Sequence, residues 1–218
     1  MIIKYQSYWA SAKRLQPERA TLTRLDIVNK TKFKQDFLDK KINCEDVARH
    51  NHEKGLLYEF SIFEIESDSF PNVYIAINHK NKHVGVNFID PGGRNYLKYI
   101  FTEVKPKEEL FLSEIWYYDF DKEDNDKADY RIHFVFNNEG NVSARKYDDK
   151  NQKFSDFESK EPMDPSVLYE RYPEFGKYEG IIRLERDIPI LKDNVRTYVY
   201  KDGNRYYKDK DGNLIEDN

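Results

Sequence analysis

Cys44 is the side chain in this sequence whose chemistry is most easily tested, because it is the only cysteine. His50 and His52 follow it at spacings of six and eight residues, which would make a thiol–imidazole nucleophile if the rings reached the sulfur. At these spacings on one helix, neither ring shares the face of the cysteine. We therefore interpret Cys44 as a small buried residue in a first helical turn. No serine lies in a G-x-S-x-G motif, and we assign no catalytic residue.

The sequence also contains no strong pattern for a metal site or for an acid–base catalytic site. His79 and His83 flank a predicted turn, but no third ligand lies nearby to complete a zinc site. The acidic run 119–129 lacks the glycine and the final glutamate of a calcium loop. The turn that begins at Asp90 lies between strands and does not open a helix, so it is no phosphate-binding loop. We predict no metal and no cofactor. Pairs of Asp90 with His79 or His83 would be the first to test in a hydrolase.

Tyrosines mixed with carboxylates give the best candidate binding residues. Interfaces are enriched in aromatic side chains, and acidic groups beside them steer a basic protein toward its site. One such group is predicted at a hairpin tip and a second at a helix-to-strand corner. The predicted partner-binding residues are Tyr117, Asp119, Asp121, Glu123, Asp124, Asp126, Tyr172 and Glu174.

The composition indicates a globular protein. The chain has 218 residues, a net charge of -4, 35% charged residues and 15% aromatic residues. Aromatic side chains can supply much of a core, and a single cysteine excludes a disulfide framework. No signal peptide and no apolar run long enough for a membrane helix are evident, so we expect a cytoplasmic protein with no membrane partner. The acidic body would repel a phosphate backbone, and we expect no nucleic-acid partner.

The predicted elements change in type at Gly55. Two helices are expected before it, at about 32–41 after a Thr31 cap and at 44–54 with a capping box at Asn43. Period-two alternation after it predicts about six consecutive strands between residues 56 and 147. On the strand 110–120, the pattern places Leu112, Trp116, Tyr118 and Phe120 on one side, with Trp116 in the core.

Short connections between these strands favour antiparallel pairing. The fold class is α+β: an antiparallel β meander of about six strands, two N-terminal helices on one face, a short C-terminal helix at about 165–172 and a hairpin tail. We expect one domain over residues 1–186 and a hairpin-like tail over 187–218, where two Asp-Gly-Asn turn signals occur.

Three segments resemble immunity proteins of bacterial polymorphic toxin systems. They are Ile115-Trp116-Tyr117, the stretch FVFNNEGNV at 134–142 and YPEFGKY at 172–178, and the resemblance extends over about residues 55–186. It implies a protein without enzymatic activity that binds a cognate toxin domain, often a basic enzyme, and covers or distorts its active site. It also implies a monomer or weak dimer.

Two other functions stay open on the sequence. One is a hydrolase with an unrecognised acid and histidine site. The other is an accessory protein of a mobile element that binds a nucleotide or a host factor, for which a deep pocket lined by Tyr and Arg would be expected.

Overall fold

A computed structural model describes residues 1–120, 127–188, 198–201, 204–208 and 213–216 of the chain. Its helices are α1 (Glu18–Asn29), α2 (Phe33–Leu38) and α3 (Cys44–Lys54). Its strands up to the middle of the chain are β1 (Ile2–Lys4), β2 (Tyr8–Trp9), β3 (Arg14–Leu15), β4 (Tyr58–Phe63), β5 (Val73–Asn78), β6 (His83–Ile89), β7 (Asn95–Lys105) and β8 (Glu109–Phe120). The later strands are β9 (Ala128–Phe136), β10 (Val142–Asp148), β11 (Lys153–Glu158), β12 (Tyr169–Arg171), β13 (Tyr198–Lys201), β14 (Asn204–Lys208) and β15 (Leu214–Glu216).

The main sheet is a ten-stranded antiparallel meander. Strands β4 to β11 pair in chain order, β1 adds to the free side of β4, and β12 pairs with one end of β8. The predicted class, an antiparallel sheet with few helices, is confirmed. The predicted number of strands is too small, since β1, β11 and β12 carry no clear apolar alternation. The face of this sheet that holds most of the core is called the core face below, and the opposite side the outer face.

The helices agree with the sequence where a local capping pattern exists. At the start of α3, the Asn43 side chain accepts from the Asp46 amide at 3.0 Å and Asp46 accepts from the Asn43 amide at 2.9 Å. Gly55 ends the helix with φ 68°. The cap predicted at Thr31 is wrong, because the Thr31 hydroxyl donates to Asp26 at 2.7 Å and α2 begins only at residue 33.

Helix α1 was not predicted, and the predicted C-terminal helix is only one 3-10 turn. The first helix has no side-chain N-cap, and it buries only Thr21, Leu22 and Leu25. With so few apolar positions its periodicity is too weak to detect. The turn Pro165–Leu168 starts from Asp164, as expected for a proline at the first position. The chain then becomes strand β12 instead of continuing as a helix.

Residues 163–188, which we call the covering segment, contribute strand β12 to the sheet and otherwise pack on its core face. Leu168, Tyr178, Ile181 and Ile188 of this segment are at most 1% exposed and belong to the main core. The Tyr178 ring centroid lies 4.1 Å from that of Phe60 on β4. A mostly irregular stretch of chain therefore covers this part of the sheet, where many two-layer folds have a helix.

A buried arginine fixes the end of the covering segment. Arg186 is 4% exposed, and its guanidinium lies 5.2 Å from the ring centroids of both Tyr99 and Phe101. It donates to Glu170 Oε1 at 2.8 Å and to the Gly180 carbonyl at 3.0 Å. Desolvation lowers the pKa of Arg186 from its usual value, so the charge depends on these partners.

The covering segment begins at a close backbone contact. Gly140, with φ 86°, ends the turn between β9 and β10, and its carbonyl accepts from the Met163 amide at 2.9 Å. A Cβ at this glycine would lie 2.0 Å from the Met163 carbonyl oxygen. Only glycine fits there.

The N-terminal segment covers the outer face of the first strands. Ser7 Oγ donates to the buried Glu59 on β4 at 2.5 Å, and Arg24 on α1 pairs with the same carboxylate. The Tyr8 hydroxyl donates to the Gly93 carbonyl at 2.7 Å. These contacts involve β4 and the turn between β6 and β7, and none of them involves β8 to β11.

The last described strands form a separate three-stranded antiparallel sheet, in the order β13, β14, β15. The Asp-Gly pairs that predicted its turns, at 202–203 and 211–212, lie outside the described residues. The division of the chain at residue 186 stays a prediction, although Ile188 packs in the core of the main body.

Candidate protein-binding surface

Six ring-bearing side chains lie on the outer face of β8 to β11 and are partly or fully exposed. We call them the aromatic patch, and they are Trp116, Tyr118, Phe120, His133, Tyr147 and Phe154. Phe154 is 63% exposed. The patch spans four neighbouring strands of the sheet, β8 to β11, which pair in chain order.

A single bulge residue decides that Trp116 belongs to this surface. Between β7 and β8 the register shifts, so that Ile100 lies opposite Glu114 but the next residue, Phe101, lies opposite Leu112. Ser113 is the extra residue, and it reverses the alternation along β8. Leu112 therefore points to the core and Trp116 to the outer face. The prediction that both share one side, with Trp116 in the core, is wrong for this reason.

Five rings of the patch, those of Trp116, Tyr118, Phe120, His133 and Tyr147, are nearly parallel. The Trp116 and His133 centroids are 3.9 Å apart with planes at 10°. Tyr147 lies at 6.2 Å and 15° from Trp116, and Tyr118 at 6.3 Å and 20°. His133 is also held by Glu114, whose Oε2 lies 2.9 Å from His133 Nε2. Neighbouring strands thus fix the ring orientations, which reduces the entropy lost on binding.

Two arginines lie among these rings and are paired with acids. The Arg131 guanidinium stands 4.6 Å from the Tyr147 ring centroid, and its Nε is 3.2 Å from Asp149. Arg145 binds Asp156 through two hydrogen bonds of 2.6 and 3.0 Å. The hydrogen bonds from Arg145 hold the pKa of the Asp156 carboxyl below its usual value. The patch consequently offers both apolar area and oriented donors, with its charges largely balanced.

A shallow hollow of about 320 Å³ lies beside the rings, between β9, β10 and β11. His133, Arg145 and Asp156 are among its lining residues. Exposed aromatic side chains and arginines around a shallow depression are typical of surfaces that bind proteins.

The two described residues predicted at the hairpin tip, Tyr117 and Asp119, do not form part of the patch. Tyr117 is 3% exposed on the core face, and its hydroxyl donates to Asp119 at 2.8 Å. Both side chains therefore belong to the side opposite the aromatic patch. The four remaining acids, which lie outside the described residues, are Asp121, Glu123, Asp124 and Asp126. Their role in partner binding stays a prediction.

The residues predicted at the corner lie in the covering segment. Tyr172 is 9% exposed, with its ring centroid 6.1 Å from those of both His52 and His79. Glu174 is exposed and pairs with Lys177 at 2.6 Å, which lowers the pKa of its carboxyl. Of this pair, only Glu174 is fully at the surface.

Cys44, Asp90 and His79 do not form the catalytic pairs that the sequence suggested for testing. Burial raises the pKa of the Cys44 thiol to about 12. Asp90 binds Arg94 at 2.7 Å, not either of the histidines proposed for it. His79 instead binds the buried Glu103, with Nδ1 2.6 Å from Oε2. Among the residues that the structure describes, no three His, Cys, Asp or Glu side chains are grouped so as to hold a metal ion.

Sequence reasoning missed Arg131, Arg145, Tyr147 and the exposed side of Trp116. The available signal was the alternation on β9 and β10, where the positions between the apolar residues carry His, Arg and Tyr. Such positions on adjacent strands form one surface.

Comparisons with family models, curated proteins and solved structures found no match for this chain. No helix among the described residues is long and apolar enough to cross a membrane.

Proposed function

We propose that this chain is a non-catalytic binding protein that holds a partner protein on the aromatic patch. The observation that carries the proposal is the row of nearly parallel, partly exposed rings with Arg131 and Arg145 fixed among them. Tryptophan, tyrosine and arginine are the residue types that dominate binding energy at protein interfaces. Here they are already oriented by the sheet.

The partner that we propose is a cognate bacterial toxin domain, neutralised by stoichiometric binding in the cytoplasm. The resemblance of three segments to immunity proteins supports this part of the proposal. One of those segments, Ile115-Trp116-Tyr117, contributes Trp116 to the patch. A basic toxin would be steered by the acidic 121–126 segment, which follows directly after Phe120.

The hydrolase alternative has one feature in its favour, the pair of His79 and Glu103. A buried carboxylate that orients an imidazole is part of many hydrolytic sites. Here the same carboxylate also accepts from the Lys107 backbone amide, at a residue with φ 55°. The Lys107 ammonium in turn donates to the Glu53 carbonyl of α3 at 2.9 Å. We therefore assign the pair a structural role in joining α3 to the β7–β8 turn.

The test is capture of a partner from the native host by the tagged full chain, followed by expression of that partner alone and together with this chain. We expect one stoichiometric partner that is toxic alone and harmless on co-expression. A captured protein without toxicity, or toxicity that co-expression does not relieve, would contradict the toxin assignment.

The surface is tested with Trp116→Ala and Tyr147→Ala, each checked for an unchanged circular dichroism spectrum. Loss of an interface anchor costs about 2 kcal/mol or more, a decrease in affinity of about thirtyfold. The matched control is Trp9→Ala, which removes a 48% exposed tryptophan outside the patch. Equal affinities of the Trp116 and Trp9 variants would place the interface elsewhere.

A further inference from the structure

The two ends of the ten-stranded sheet are unlike each other. The strand at one end, β1, has three residues, all half-buried, and the chain leaves it in a turn where the Gln6 amide donates to the Lys4 carbonyl at 2.7 Å. The strand at the other end, β11, has six residues, and all of them are exposed. No described strand pairs with the free edge of β11.

The free edge of β11 lacks two features that often protect such edges, a proline and a bulge, although Lys153, Asp156 and Glu158 are charged. It contains no proline, and its pairing with β10 runs over six residues without a register shift. Native sheets usually cover or interrupt a long and regular edge of this kind. The backbone groups on that edge can pair with another strand.

The most exposed aromatic side chains that the structure describes both belong to this strand. Phe154 is 63% exposed and Phe157 is 52% exposed. They lie on opposite faces, since Phe154 is opposite Tyr147 of the patch and Phe157 is opposite the buried Ala144. A strand added to this edge would contact both rings at once.

We propose that the edge is covered by β11 of a second copy of this chain, in an antiparallel pair centred on Ser155. The two copies of β11 would be related by a two-fold axis perpendicular to the sheet, which keeps every side chain on its own face. In such an antiparallel pair the axis passes through one residue, which then lies opposite the same residue of the second copy. A centre at Asp156 would oppose two carboxylates. A centre at Phe154 would pair only three of the six strand residues with one another. The centre at Ser155 avoids both problems.

The register centred on Ser155 makes complementary cross-strand pairs. It sets Lys153 opposite Phe157 of the second copy, where an ammonium can approach a ring face. It sets Phe154 opposite Asp156 of the second copy. That carboxylate already has a partner in Arg145 of its own chain, so it is not left unpaired. The two aromatic patches would then lie side by side on one continuous outer face.

The test is sedimentation velocity of the full-length chain at protein concentrations from about 1 to about 300 μM, the range in which small interfaces dissociate. We expect the wild-type mass to rise to twice that of the monomer. Ser155→Lys opposes two like charges at the axis and should raise the dissociation constant about fivefold or more. Ser155→Glu should do the same.

An equimolar mixture of the Ser155→Lys and Ser155→Glu chains should form heterodimers, because the axis then pairs opposite charges. This rescue also excludes misfolding as the cause of dissociation. The matched control is Ser143→Lys, an exposed serine on β10, whose two edges are both paired; it should dimerise like the wild type.

A chain that stays monomeric over the whole range would overturn the proposal and leave the edge to a strand of a different protein or to solvent. Dimers that resist both Ser155 substitutions would overturn it as well, since the contact would lie elsewhere. These outcomes do not depend on the toxin assignment, because the sedimentation experiment contains this chain and no partner protein.

Discussion

The buried pair of Arg186 and Glu170 predicts an unequal response to removing its two members. Glu170→Ala leaves the Arg186 guanidinium buried against Tyr99 and Phe101 without a counter-charge, and breaking a buried pair in this way costs about 3–5 kcal/mol. Arg186→Met has a smaller effect. Glu170 keeps Arg183, at 2.6 Å, and the methionine retains the contact with the rings.

The expected cost of Arg186→Met is about 1–2 kcal/mol, mainly because the Gly180 carbonyl loses its donor. Urea unfolding followed by circular dichroism measures both variants. For a chain of this length the melting temperature should fall by about 6–20 °C for Glu170→Ala and by about 2–8 °C for Arg186→Met.

The control for this comparison is Glu174→Ala. Glu174 lies in the same covering segment, but its ion pair with Lys177 is exposed, with side chains 75% and 71% accessible. An exposed pair contributes little, so the urea midpoint of this variant should stay close to that of the wild type. If Arg186→Met destabilises the chain as much as Glu170→Ala, the desolvated charge is not what makes the pair important, and our reasoning fails.

Three further predictions concern the glycines, the cysteine and the histidines. Gly176 has φ 84° and open space around it, so Gly176→Ala should lower the free energy of unfolding in urea by about 1 kcal/mol. Gly140→Ala should lower it by at least about 3 kcal/mol, and equal losses would contradict the tight contact at Gly140. A thiol reagent at about pH 8 should label Cys44 slowly in the native chain and fast in denaturant, because burial raises the pKa of the thiol. Burial lowers the pKa of His52 and His83 below the values in the unfolded chain. The melting temperature should therefore be highest above about pH 6.5 and should fall as the pH decreases below that value. The same profile in the double variant His52→Asn/His83→Asn would exclude these two groups.

The parts of the fold that follow from the sequence are those with local signals. Helix α3 could be placed because Asn43, Asp46 and Gly55 satisfy backbone groups within one turn of the helix ends. The central strands could be placed because one face is buried, which forces apolar residues to alternate. Strand β11 has no buried face, and its six exposed residues therefore carry no such pattern.

The candidate site was harder to predict because it depends on register. The side of Trp116 is decided by one extra residue, Ser113, and a shift of one residue moves every following side chain to the other face. The stacking of Trp116 on His133 joins residues from two strands whose pairing is set by the whole meander. Adjacent residues of a strand point to opposite faces. The bulge that moves Trp116 to the outer face therefore also moves Tyr117, predicted at the surface, to the core face.

The position of the covering segment at the end of the main body also has a consequence for synthesis of the chain on the ribosome. Strands β4 to β11 are complete at residue 158, but the core face is covered only when residues up to Ile188 have emerged. At usual rates of elongation this takes roughly 2 to 6 s. During that interval a nascent sheet exposes Tyr99, Phe101 and their neighbours to water. Release of the chain before Ile188 would make this state permanent, and such fragments should aggregate or be degraded.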